Sequence, residues 1–237
     1  MNAQGNEILR IADLHAFYGE SHILHGIDLR VNEGELVTLL GRNGSGRSTT
    51  LKAILGLVGR RSGSVMVNGN EVTAMAPHRI ARLGIGYCPE ERGIFSGLTA
   101  EENLMLPPEV KSGGMTLDEI YKVFPNLYER RSSPGMRLSG GEQQMLAMAR
   151  ILRTGARLLL LDEITEGLAP VIVKKLGEVI RLLKSRGYTI VLVEQNFRFA
   201  APLADRHYVL EHGRIVATVN KDELGAKTEM LHELLGV

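Results

Sequence analysis

The chain has 237 residues, 44% of them hydrophobic, enough to bury a large core as one compound domain or two. With 28 Lys and Arg against 27 Asp and Glu the net charge is +1, so no global attraction to nucleic acid or anionic lipid is expected, and no nucleic-acid partner is anticipated. The single cysteine, Cys88, excludes an internal disulfide and a cysteine-based metal cluster, suits a reducing compartment and reads as a small buried apolar residue.

The polar start from Met1 to Glu7 lacks an apolar signal-peptide core, and no run approaches the ~18 apolar residues that cross a bilayer. The expectation is a cytosolic chain. In chain order, the first third reads as short strands over Ile8 to Leu14, Ile23 to Val31, Leu36 to Leu40 and Ser64 to Val67, the last ending in an Asn68-Gly69 turn. His22 and His25, three apart in a strand, are read as surface histidines and not as a metal site.

After the apolar run Leu36 to Leu40 come Gly41-Arg42-Asn43-Gly44-Ser45-Gly46-Arg47-Ser48, and Thr49 opens a helical stretch to Leu57. Strand, glycine loop and helix form the context of a phosphate-binding loop. The glycines let successive N–H groups turn inward on β- and γ-phosphates, and the Ser48 hydroxyl is placed to ligate Mg²⁺. The pattern asks for Lys at its seventh position. Arg47 keeps the charge but carries it on a larger planar fork, so nucleotide binding is expected to survive better than hydrolysis.

The next apolar strand is Ile85 to Cys88. From Pro89 to Gly155 the pattern turns helical, with Thr99 and Glu102, Thr116 and Glu119, and Ser139 and Glu142 as capping boxes, and an exposed loop from Pro107-Pro108 to Gly113-Gly114. The helix after Ser139 is expected to bury Met145, Leu146, Met148, Ala149, Ile151 and Leu152. Its start, with Gly140 and Gly141, leaves N–H groups bare and is a second place to receive a phosphate. Leu158 to Leu161 and Ile190 to Val193 complete a set of apolar strands suited to a parallel sheet covered on both faces. Arg206 to Val219 reads as a closing hairpin turned at His212-Gly213.

Two phosphate-seeking glycine motifs exceed what one nucleotide needs, unless each faces a different protomer. This arrangement resembles that of ATP-binding-cassette ATPases, over nearly the whole chain from Tyr18 to about Val219. The resemblance implies an α/β fold: a P-loop NTPase core of mixed, mostly parallel sheet with helices on both faces, an N-terminal antiparallel β subdomain and an inserted α-helical subdomain. The whole of 1–237 then forms a single cassette, with the core in 1–88 and 156–237 and the helical subdomain in 89–155. In that family two cassettes meet head to tail, and Ser139, Gly140, Gly141 and Glu142 of one would close over the γ-phosphate held by the other's loop. Tyr18 would stack on adenine.

Leu158 to Asp162 matches the Walker B strand. Asp162 at its tip would hold the Mg²⁺ shell near Ser48, while Glu163, pointing to the opposite side by strand alternation, would polarise the attacking water. Several positions depart from the family pattern. Ile164 replaces the usual Pro, a packing change, and Ala169 replaces the aspartate of the loop Glu166-Gly167-Leu168-Ala169-Pro170, so the carboxylate of its cross-dimer contact is missing. Glu90 takes the place of a glutamine offered to metal and water. Gln195 stands where many members carry a histidine touching the γ-phosphate; it orients phosphate but holds no titrating proton.

The strings Pro89 to Phe95, Asp162 to Pro170 and Val193 to Asn196 resemble the smaller ATPase subunit of bacterial branched-chain amino-acid importers, in which these glutamate and glutamine replacements are normal. Importers for urea or other amides share much of the pattern. The resemblance implies ATP and Mg²⁺ as cofactors, a second cassette as homo- or heterodimer partner, membrane-spanning permease subunits, and indirectly a solute-binding protein. It also implies a peripheral place on the inner face of the plasma membrane. A different class, a regulatory cassette with little turnover because of Arg47, remains open at this point. A soluble cassette protein of translation or repair does not fit into 237 residues, and a P-loop kinase lacks the Ser139 helix.

Overall fold

The computed structural model describes residues 6–236. Strands β1 (Glu7–Tyr18) and β2 (Ser21–Asn32) form a long antiparallel hairpin turned at Gly19, with φ +56°. Both strands run further toward the turn than the sequence pattern suggests. Leu14, Ala16 and Leu24 point into the core there, while His15, Phe17 and His22 line the outer face and blur the alternation. His22 stacks on Phe17 with centroids 4.2 Å apart, and its Nε2 lies 3.0 Å from His15 Nδ1. Among the described residues no group of three His, Cys, Asp or Glu is arranged to hold a metal.

Strand β4 (Arg60–Val67) pairs with the other edge of β1, and the Asn68-Gly69 turn, with φ +48° and +73°, returns the chain as the short β5 (Asn70–Glu71). A second sheet combines β3 (Leu36–Gly41), β6 (Ile85–Cys88), β7 (Leu158–Asp162), β8 (Thr189–Val193), β9 (Arg206–Glu211) and β10 (Arg214–Asn220), in the order β10-β9-β3-β8-β7-β6. All its pairings are parallel except the β9–β10 hairpin at one edge.

The continuous apolar runs of β3, β7 and β8 are explained by burial on both faces. Helices α1 (Arg47–Ile54) and α2 (Pro77–Ala81) precede β6; α3 (Ala100–Met105), α4 (Leu117–Val123), α5 (Pro125–Glu129) and α6 (Gly140–Arg153) precede β7; α7 (Pro170–Ser185) precedes β8. Leu36, Leu159, Leu161, Ile190 and Leu192 pack with α6 and α7 in one core. Val37, Leu39, Leu158, Leu160, Val191 and Val193 pack on the other side with Leu51 and Ile54 of α1 and with Leu14, Leu24, Ile27 and Val65 of the first sheet. The second face is therefore covered by α1 and the antiparallel sheet together.

Between Cys88 and Leu158 the regular elements of the described residues are helical, and Thr99, Thr116 and Ser139 each close a capping box with the Glu three residues on. All six apolar residues expected on the α6 core face are buried. Helix α7 and a last helix α9 (Leu224–Leu235), which follows the short α8 (Phe197–Ala200), go beyond the elements read from the sequence. Helix α9 buries only Leu231 and Leu235, against Leu40, Val209 and Val219, so its own periodic signal is thin.

Candidate nucleotide site

The loop from β3 to α1 is built on glycines in the left-handed region, Gly44 at φ +77° and Gly46 at +104°. Helix α1 begins at Arg47, two residues earlier than expected, and ends at Ile54 ahead of Gly56 (φ +73°). A Cβ at Gly44 would meet nothing within 4 Å, so the loop opens on free space there. At Gly41 a Cβ would lie 2.4 Å from the carbonyl oxygen of Leu210, a rigid backbone atom. Gly41→Ala is accordingly expected to cost about 2 kcal/mol or more, read as a lowered urea midpoint in chemical unfolding. Ser45 Oγ is buried without a partner, and the N-terminus of α1 carries no side-chain cap. An orphaned hydroxyl, an open glycine turn and bare helix amides together fit a phosphate.

Beside this cradle, Ser48 Oγ donates to Asp162 Oδ1 at 2.8 Å and the Tyr87 hydroxyl donates to Asp162 Oδ2 at 3.1 Å. Burial lifts the Asp162 carboxyl above its ordinary range, against the two hydrogen bonds and Lys52, which favour the anion. A hydroxyl and an anionic carboxylate at this spacing are oxygen donors suited to Mg²⁺. Tyr87 is a member of the site that the motifs do not reveal, because its contact lies 75 residues away in sequence.

Glu163 lies outside β7, and its direction is not set by strand alternation as expected. It adopts φ +46°, a left-handed conformation costing about 1–3 kcal/mol for a non-glycine residue, while its N–H donates to Val193 O at 3.0 Å. The kink brings its carboxylate to Arg47, whose Nη2 donates to Oε1 at 2.6 Å with both side chains largely buried. The same guanidinium also donates to the carbonyls of Gly41 and Glu194 and to Asn43 Oδ1. Burial pushes the Glu163 carboxyl upward, Arg47 pulls it down, and the neighbouring Glu166 carboxyl raises it.

Glu90 and Gln195 are exposed, and neither forms a side-chain hydrogen bond to this cluster among the described residues. Glu90 is nonetheless close enough to titrate with it: partial burial first, then Glu166, Glu91 and Asp162, raise its carboxyl, while Lys52 opposes. The loop after Glu90 is tied to α6, because Arg92 Nε donates to Gln144 Oε1 at 3.2 Å and Arg150 Nη1 to Gly93 O at 2.5 Å. Gln144 Nε2 in turn donates to the Cys88 thiol, which is buried, free and pushed up to about 12 by burial. Tyr18 ends β1 at the hairpin tip with 42% of its surface exposed, leaving its ring available for stacking.

At the start of α6, Ser139 Oγ accepts from Glu142 N at 3.3 Å and Glu142 Oε2 from Ser139 N at 2.7 Å. Gly140 is half-buried. Gly141 is a packing requirement, since a Cβ there would meet the Ile172 side chain at 2.9 to 3.2 Å. Ile164 is fully buried in the core, and Ala169 precedes α7 without capping it, Pro170 taking the first helical position.

Glu194 is buried and its carboxyl is pushed up to about 7 by desolvation, against hydrogen bonds from Thr165 and Asn196 that favour the anion. Unfolded, it titrates near 4.5. Between these values the folded chain holds a proton that the unfolded chain has released, so the stability from this group is complete below pH 4.5 and lost as pH rises to about 7. His207, depressed to about 4 by burial, works in the opposite sense over part of the range. Comparing wild type with Glu194→Gln cancels that background. The wild-type melting temperature relative to the variant is expected to be higher at pH 5 than at pH 7.5.

The family profile described as ABC transporter matches residues 24–166. A high-affinity branched-chain amino-acid transport ATP-binding protein of Pseudomonas aeruginosa is 42% identical over 212 residues, covering 88% of this chain and 91% of its own. A probable branched-chain amino-acid transport ATP-binding protein of Archaeoglobus fulgidus is 40% identical, covering 92% and 94%. Among solved structures, an ATP-binding subunit of an ABC transporter superposes with a TM-score of 0.81 at 27% identity, covering 97% of this chain and all of that one. A dimeric cassette in a post-hydrolysis state bound to ADP and phosphate gives 0.77 at 25%, covering 90% and 98%. With the glycine cradle, the Ser48–Asp162 pair and the capped start of α6 in one chain, this protein belongs to the ATP-binding, ATP-hydrolysing subunits of ABC transporters.

Proposed function

We propose that the chain powers an importer for branched-chain or other hydrophobic amino acids. The observation that carries the chemistry is the convergence of Ser48, Asp162, Arg47 and Glu163 beside the glycine loop. The cargo is supported by relatives named for branched-chain amino-acid transport at 40–42% identity over most of both chains.

In this reading, backbone amides of Arg42 to Thr49 and the Ser45 hydroxyl receive the phosphates of ATP, and Tyr18 stacks on the base. Ser48, Asp162 and Glu90 would hold Mg²⁺, which would neutralise charge on the phosphates. Arg47 turns toward phosphate. Glu163 accepts the proton of the water that attacks the γ-phosphorus, the bond to the β-phosphate oxygen breaks, and ADP and phosphate leave. Glu90 and Gln195 orient the water and the γ-phosphate. Ser139 to Glu142 of a second cassette, identical or different, complete each site.

Residues 89–155 move as the helical subdomain, and the permease subunits dock near Glu90 to Leu98. The link from Arg92 and Arg150 to that segment supports the coupling. No described helix is long and apolar enough to cross a membrane. In this reading the permease holds the chain at the inner face of the plasma membrane. A solute-binding protein delivers cargo from outside.

Reconstitution of the chain with its permease subunits in vesicles tests this. Leucine-, isoleucine- or valine-loaded binding protein is expected to raise ATP turnover several-fold. Stimulation by a urea- or amide-loaded protein instead would reassign the cargo.

A further inference from the structure

Glu194 has no role in the chemistry above, although it lies between Val193, whose carbonyl receives the Glu163 N–H, and Gln195. It is 2% exposed, and among the described residues no cationic side chain pairs with its carboxylate; Arg47 reaches only its backbone carbonyl, at 3.2 Å. A buried carboxylate in that position is costly unless hydrogen bonds satisfy it. Here Thr165 reaches both oxygens: Oε1 accepts from its N–H at 3.2 Å and Oε2 from its hydroxyl at 2.9 Å.

Thr165 stands two positions beyond Glu163. The turn between them is otherwise held locally, with Glu166 N donating to Glu163 O at 3.2 Å and Leu168 N to Thr165 O at 3.3 Å. A left-handed non-glycine residue such as Glu163 at φ +46° persists only when its surroundings over-determine it. The end of β8 supplies that constraint through Val193 O and the two oxygens of Glu194.

We propose that Glu194 is a positioning residue for hydrolysis: through Thr165 it anchors the turn after β7 to the end of β8 and so keeps Glu163 aimed at the attacking water. This rests on the role of Glu163 given above and extends it. An apolar residue at 194 would fill the same space without holding the turn.

Thr165→Val, nearly isosteric, removes the hydroxyl donor and keeps the packing; Thr165→Ser keeps the donor; Glu194→Ala removes both acceptors. Hydrogen exchange of the amides of residues 163–168 is read in the nucleotide-free chain, alongside kcat, KM and the affinity for a fluorescent ATP analogue. The expected result is exchange about tenfold faster in Thr165→Val and Glu194→Ala and kcat lowered about tenfold or more, with analogue affinity within about twofold of wild type. Thr165→Ser stays near wild type, and the double variant is no worse than Glu194→Ala alone, because both act on one contact.

Unchanged exchange, kcat within about twofold of wild type in Thr165→Val, or effects that add in the double variant would overturn the proposal. Should Glu194→Ala fail to fold, the Thr165 pair still decides. A wild-type chain without turnover would count against the hydrolytic reading, whereas the exchange data judge the anchor independently.

Discussion

Glu163→Gln is expected to lower ATP turnover by about 10²–10⁴-fold while leaving ATP binding intact, because the amide cannot accept the proton of the attacking water. An amide oxygen still accepts from Arg47 Nη2, so the nucleotide-free cluster survives the change. With hydrolysis blocked, the ATP-bound pair of cassettes has no route to reset. Gel filtration with ATP and Mg²⁺ is then expected to show a dimer that wild type forms only transiently. Unchanged turnover would remove Glu163 from the chemistry.

Arg47→Lys is expected to act in two directions. In the nucleotide-free chain the guanidinium serves Gly41 O, Glu194 O, Asn43 Oδ1 and Glu163 Oε1 at once. An ammonium has three donors on a compact head and leaves at least one of these acceptors unmet, costing about 1–3 kcal/mol. The melting temperature without nucleotide should fall by roughly 2–12 °C. Turnover should rise, because the arginine holds Glu163 in a buried ion pair at 2.6 Å that ATP must displace before the carboxylate is free for water. Steady-state hydrolysis and thermal unfolding of the same preparation check both. A stable variant with no gain in turnover would mean that the arginine serves as well as the lysine.

These two residues also show where reading along the chain reaches its limit. Arg47 stands out in the sequence as a departure from its motif, and the chain alone suggests weakened hydrolysis. Its partner is 116 residues away, and only the order β3-β8-β7 in the sheet brings the end of β7 against the start of α1. For Glu163, period-two alternation assigned a side chain to the γ-phosphate side for a reason that does not operate. The strand has already ended, and a left-handed kink held from β8 turns the side chain to Arg47. The contacts of Tyr87 and Glu194 carried no signal, because each partner lies on a different strand end or loop.

What the amino-acid order determined by itself is what contiguous residues encode: the glycine loop between an apolar strand and a helix, three capping boxes, doubly buried strands and the Asn68-Gly69 turn. Each follows from backbone sterics and hydrogen bonding within a few residues. Tertiary structure alone decided which strands are neighbours, that an antiparallel sheet shares one face of the core with α1, and that Arg47, Glu163, Thr165 and Glu194 form one connected cluster. Those contacts depend on packing between segments far apart in the chain, a property that local periodicity does not contain.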